Sequence, residues 1–109
     1  MSSTTSSLGG VPGVISSEEL AKTGDYLASL QLTSGQIPWF AGGHSDPWNH
    51  VEVAMALTIS GFTREARAAY RWLEATQLGD GSWFNYYVGT RVKDARLDTN
   101  VCAYVAAGL

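Results

Sequence analysis

Two stretches decide the fold: QLTSGQIPW, from Gln31 to Trp39, and QLGDGSW, from Gln77 to Trp83. Each opens on a glutamine at the end of an amphipathic segment, turns on a glycine and closes on a tryptophan. The trios are Gln31, Gly35 and Trp39, then Gln77, Gly81 and Trp83, with two extra residues between glycine and tryptophan in the first copy. The glutamines stand about 46 residues apart. That period marks stacked helical hairpins, none of which can bury its apolar face alone.

Working outward, Ser16 followed by Glu19 is a capping box, so the first helix starts there and carries Leu20, Tyr26, Leu27 and Leu30 at helical spacing. Gly24 in its middle weakens the helix by about 1 kcal/mol relative to alanine, which marks a close helix contact. Asp46–Pro47 starts a second helix, with aspartate as N-cap and proline where no hydrogen bond is lost; Gly61 ends it. Thr63 is expected to cap a third helix through Ala66, Tyr70, Trp72 and Leu73 to Gln77, with Arg64, Glu65, Arg67, Arg71 and Glu74 on its solvated face. From Trp83 to Leu97 the alternation of Phe84, Tyr86 and Val88 and the pair Gly89–Thr90 predict an irregular hairpin. Asp98 or Thr99 then caps a fourth helix, VCAYVAAG. The expected fold class is all-α: two helical hairpins over residues 16–109, the second incomplete, behind a disordered Ser/Thr/Gly leader over residues 1–15.

The totals narrow the function. A chain of 109 residues holds at most one domain. A net charge of −3 with seven scattered basic residues argues against nucleic-acid binding. Cys102 is the single cysteine, so no internal disulfide forms; with no secretory signal at the N-terminus, a cytoplasmic location is expected. The apolar stretch Val51–Ile59 is interrupted by Glu52 and Thr58 and is too short to span a bilayer. Only 16% of residues are charged, and the last helix shows Val101, Ala103, Tyr104, Val105 and Ala106 with nothing after them to cover it. Such a face drives association, so either a longer protein or an oligomer through this helix is expected.

The motif QLGDGSW, preceded by Tyr70, Trp72 and Leu73, resembles the QW repeat of squalene–hopene and oxidosqualene cyclases. The stretches IPWFAGGHSDPWNHVEVAMAL, DGSWFNYY and DTNVCAY look like the N-terminal part of prenyltransferase/squalene-cyclase-like proteins. The resemblance implies an incomplete α/α toroid in which the trios tie outer helices together. It also implies prenyl-transfer or terpenoid-cyclase-like chemistry on an isoprenoid or other apolar small molecule once further repeats complete the ring. Alone, the chain is expected to be inactive.

In such a ring the working cavity lies at the starts of the inner helices, here Asp46–Glu52 and Asp98–Cys102, where the helix dipole favours polar and anionic groups. Aligning Glu52 with Asn100 sets His50 opposite Asp98. The candidate acid/base groups are Glu52, Asp98 and His50; the candidate substrate contacts are Trp48, His50, Glu52, Asn100 and Tyr104, with the Trp48 and Tyr104 faces able to stabilise a cation. His44 is a further candidate contact in its glycine-rich loop. The DxDD acid motif of the cyclases is absent; Asp94 and Asp98 are the nearest approach. The prenyltransferase zinc site is also unmatched, because Asp98 and Cys102 are four apart where the family places these ligands two apart, so no metal or other cofactor is expected. Two other readings compete: a carbohydrate-active toroid, with Trp39, Trp48, Phe84 and Tyr87 stacking on sugar rings, and a non-catalytic binding or scaffold module.

Overall fold

Ser16 caps the first helix reciprocally. Its hydroxyl accepts from the Glu19 N–H at 3.1 Å, and the Glu19 carboxylate accepts from the Ser16 N–H at 3.0 Å. The computed structural model describes Gly13 and residues 16–108, without the Asn100 side chain. The expected leader therefore lies, Gly13 apart, outside the described residues. Among these, the chain is a small, mostly helical domain with one short hairpin: α1 (Ser17–Leu30), α2 (Pro47–Ile59), α3 (Thr63–Thr76), β1 (Tyr86–Val88), β2 (Arg91–Asp94) and α4 (Thr99–Gly108). The hairpin qualifies the all-α expectation.

α2 is the central element and packs on α1, α3 and α4. Its buried residues, Pro47, His50, Val51, Ala54 and Leu57, form one broad stripe, and half-buried Val53, Met55 and Ala56 extend the covered surface on either side of it. Asp46 caps it by accepting the Asn49 N–H at 2.8 Å. Its far end closes on Gly61 at φ 84, with the Gly61 N–H donating to Thr58 O and the Phe62 N–H to Leu57 O. This paired closure satisfies the last carbonyls and reverses the chain in two residues.

Thr63 does not cap α3. Phe62 holds the cap position without a side-chain hydrogen bond, because its ring is buried and seals the junction with α1. A Cβ on Gly24 would lie 2.4 Å from that ring, so the mid-helix glycine is what lets α1 come this close. Along α3, Ala66, Ala69, Trp72 and Leu73 face inward while Arg64, Arg67, Arg71 and Glu74 are exposed.

The two glutamine turns are structural copies. Each glutamine amide donates to the carbonyl of its glycine, Gln31 to Gly35 at 3.1 Å and Gln77 to Gly81 at 2.9 Å. Leu32 and Leu78 donate to Gln36 and Ser82 carbonyls, and the glycines adopt φ 95 and φ 90. The Ser34 hydroxyl and Asp80 carboxylate even accept from matching N–H groups, those of Gln36 and Ser82. This superposition corrects one part of the motif: the residue matching Trp83 is Ile37, not Trp39. Trp83 is fully buried and donates its indole N–H to Leu73 O at 2.8 Å, and Ile37 is buried likewise. Trp39 lies two residues further and is 49% exposed.

The hairpin pairs β1 with β2 antiparallel and is stitched to the loop before α2, where Ser45 and Tyr87 exchange N–H···O bonds of 2.7 and 2.8 Å. Tyr87 points inward and is buried, between half-buried Tyr86 and Val88, while Phe84 ahead of the strand packs against the same cluster. Two apolar clusters result. One joins Ile37, Ala54, Leu57, Phe62, Ala66 and Ala69; the other joins Val51, Trp72, Leu73, Trp83, Tyr87 and Val105. α2 contributes to both, Ala54 and Leu57 to the first and Val51 to the second.

Candidate functional site

The equivalence of the turns extends to the helices that follow them. Asp98 caps α4 by accepting the Val101 N–H at 3.0 Å, as Asp46 caps α2. The two caps are therefore counterparts, which replaces the expected alignment of Glu52 with Asn100 and of His50 with Asp98. The physical reason is that a cap is defined by the backbone donors it satisfies, and these register the two helices directly.

Both caps line one open cleft of about 410 Å³ between the helix starts and the hairpin. Trp39, Trp48 and Tyr86 supply aromatic surface there; Asn49 and Asn85 supply amides. Asp46 is held firmly. Its carboxylate accepts from the Trp39 indole N–H, the Asn49 side-chain amide and the Asn49 backbone N–H. Asp98 is exposed. Asn85 Oδ1 is buried with no donor among the described residues. At the rim the His44 ring packs against Trp39 and Tyr86, with centroids 4.5 and 4.9 Å apart.

Next to the cleft, Trp48 and Tyr104 join α2 to α4 through rings 4.2 Å apart. Glu52 accepts the Trp48 indole N–H at 2.9 Å and faces the Tyr104 hydroxyl, whose pKa is raised by hydrogen bonding to Glu52 first, then by desolvation, and last by the Glu52 charge. The candidates Trp48, Glu52 and Tyr104 thus form one cluster.

His50 is not part of it. The imidazole is 1% exposed, with Nδ1 accepting from the Ile37 N–H at 3.3 Å and Nε2 donating to Ala69 O at 2.8 Å. Burial lowers its pKa from 6.5 to about 4, against the opposing pull of the Ala69 carbonyl and of Asp46. With both nitrogens bonded to backbone, His50 has no atom to offer a substrate. Asn100 sits in the first turn of α4, and its side chain lies outside the described residues. Gln31, Gly35, Gln77, Gly81 and Trp83 belong to the turns, away from the cleft lining. Among the described residues no group of three or more His, Cys, Asp or Glu side chains could hold a metal ion, and no helix is long and apolar enough to cross a membrane.

Asp46 and Asn49 fell within the helix start Asp46–Glu52 expected to face the cavity but were not singled out as contacts, and Asn85 and Tyr86 were not anticipated as cleft residues. Asp46 was legible as a cap, and the recurrence of an aspartate at the start of α4 was the available signal. The two hairpin residues carried none, since only the Ser45–Tyr87 bridge brings them to α2. Of the four aromatics first considered for sugar stacking, Trp39 and Trp48 line the cleft, whereas Tyr87 is buried and Phe84 half-buried.

No family model matches the chain. It is similar to an MMP endo-(1,4)-3-O-methyl-alpha-D-mannosidase of Mycolicibacterium hassiacum, at 51% identity over 100 residues. The match covers 92% of this chain and 28% of that relative, so the chain spans little more than a quarter of its length. This similarity overturns the expected kinship with prenyltransferases and squalene or terpenoid cyclases, and with it the isoprenoid substrate. The glutamine–glycine–tryptophan trio led there because it records how helices stack, and stacked helices serve unrelated chemistries. The cleft agrees with the correction, since carboxylates and amides are poor walls for an apolar chain.

Proposed function

We propose that this chain forms two consecutive hairpins of an α/α toroid over residues 16–109 and supplies one wall of a glycan-binding groove in a mannoside-cleaving enzyme. The observation that carries the proposal is the pairing, in one cleft, of two helix-cap carboxylates with indole and phenol rings and carboxamides. Sugars present exactly such a mixed surface: C–H faces that pack on aromatic rings, and hydroxyls that donate to carboxylates and exchange bonds with amides. Two supports come from outside the cleft. The recurring turns and caps repeat one hairpin plan, and the similar mycobacterial enzyme cleaves a (1,4)-linked 3-O-methyl-α-D-mannoside, as its name states.

In this reading the ligand is an α-(1,4)-linked mannoside whose 3-O-methyl groups lie against Trp48 or Trp39, where an ether methyl loses water at no hydrogen-bonding cost. Asp98, the exposed carboxylate, accepts from a sugar hydroxyl. Asp46, already holding three donors, is a positioning residue that fixes Trp39 and Asn49 in the wall. Glycoside hydrolysis needs a second carboxyl across the scissile bond, and the longer protein would provide it.

Titration of the isotope-labelled chain with 3-O-methylated α-(1,4)-manno-oligosaccharide tests the proposal. Saturable NMR shifts are expected at the indoles of Trp39 and Trp48, at Asn49 and at Asp98, and Trp48→Ala should weaken binding. No perturbation of the cleft at millimolar sugar, or perturbation centred elsewhere, would overturn it.

A further inference from the structure

The first glutamine turn is occupied, and by a helix. Gln31 Nε2 donates a second hydrogen bond, to Glu65 O of α3 at 2.9 Å, beyond the one it makes to Gly35. A Cβ on Gly35 would lie 2.2 Å from Ala68 O, so α3 rests directly on the turn backbone. Just beside it, His50 of α2 donates to Ala69 O. The seat therefore meets three backbone carbonyls within about one turn of one helix, those of Glu65, Ala68 and Ala69, and it tolerates only small side chains where they touch: Ala68 and Ala69.

The second turn repeats the backbone of this seat and its glutamine–glycine bond, and no helix lies on it among the described residues. Gln77 Nε2 makes its bond to Gly81 and no second one among the described residues. A Cβ on Gly81 would meet nothing closer than Gln77 Nε2 at 3.7 Å. Cys102 stands where His50 stands, its thiol beneath the Trp83 N–H as the imidazole lies beneath that of Ile37. Between Gly81, Ser82, Leu97, Cys102 and Ala103 lies an open groove of about 410 Å³.

We infer that the groove between the second glutamine turn and α4 is a docking seat for a further amphipathic helix of the α3 kind. That helix carries two consecutive small residues and lies later in a longer protein. Gln77 donates to a backbone carbonyl one turn before the small pair, and the pair itself passes over Gly81 and Cys102. The occupied first seat is the template, and a relative of which this chain covers 28% has further chain to supply. A second copy of this chain fits less well. Its α3 is already engaged, and α1, the counterpart of α3, would bring Lys22 and Thr23 to the positions of Ala68 and Ala69. The inference stands on the repeated turn and does not depend on what binds the cleft.

A hydrocarbon-stapled peptide of residues 63–76, titrated into the isotope-labelled chain, tests it by NMR. The expected result is saturable shifts at Gly81, Ser82, Cys102, Ala103 and the Gln77 side-chain amide. Ala68→Leu in the peptide should weaken binding at least about tenfold, since a branched side chain cannot pass over the turn. Gln77→Ala in the chain, whose side chain is exposed, should weaken it too. The inference is overturned by an absence of saturable shifts, by shifts confined to the first turn, by equal binding of the Ala68→Leu peptide, or by concentration-dependent shifts at the same residues without peptide, which would assign the seat to a second copy.

Discussion

His50 and Cys102 occupy the same place in successive hairpins: each lies beneath the backbone N–H that follows a glutamine turn, the imidazole accepting from Ile37 and the thiol from Trp83. A ring that bonds two backbone groups has been exchanged for a small sulfur. α3 covers His50 and takes a hydrogen bond from it, whereas the counterpart groove beside Cys102 is open.

The burial of His50 makes stability depend on pH in a defined window. Its folded pKa of about 4 lies below the ordinary 6.5, so the unfolded chain binds a proton that the folded chain refuses between these values. Stability is then full above pH 6.5 and falls as the pH drops toward 4, by about 1.4 kcal/mol per unit and roughly 3 kcal/mol in all. The lowered pKa of Asp94, near 2 and set by its hydrogen bonds from Arg96, acts below its ordinary 3.8 and leaves this window clear. Urea unfolding of the native chain and of His50→Asn across pH 4 to 6.5 should show the variant's slope reduced. Parallel slopes would show that His50 is not the group responsible.

Trp83 and Trp39 should separate cleanly on truncation. Trp83→Ala removes a fully buried indole and its bond to Leu73 O and should cost about 3–5 kcal/mol. Trp39→Ala removes a half-exposed ring and should cost about 1 kcal/mol. Equal losses by chemical denaturation would reinstate Trp39 as the motif tryptophan.

Gly35→Ala should be more damaging than Gly81→Ala. Both residues have a left-handed backbone, worth about 1–2 kcal/mol against an L side chain. Only at Gly35 does the new methyl also run into a carbonyl, that of Ala68, adding about 1–3 kcal/mol of overpacking. Thermal unfolding of the two variants reads the difference directly.

Glu52→Gln should lower the Tyr104 pKa toward its ordinary 10, since the carboxylate's hydrogen bond is the largest cause of the rise and its charge adds to it, with desolvation left to hold part of the shift. The phenolate absorbance titration measures this. An unshifted curve would mean that the Trp48–Glu52–Tyr104 cluster does not persist in solution.

Much of the local structure was legible in the residues alone: the Ser16–Glu19 and Asp46 caps, the Gly61 stop and both glycine turns. These depend on hydrogen bonds made within a few positions, so composition and spacing suffice. The spacing of the apolar residues also announced a mostly helical chain with a short hairpin before its last helix. Which residue ends the repeat did not follow, because Trp39 and Ile37 are distinguished by what packs on them rather than by their neighbours in the chain. The same holds for His50, drawn inside by α3, and for Tyr87, turned inward by its bridge to Ser45. The cleft arises only when Asp46, Asp98 and the hairpin meet across long stretches of chain. Packing at a distance decided those placements, and a linear pattern of helix and turn carries no record of it.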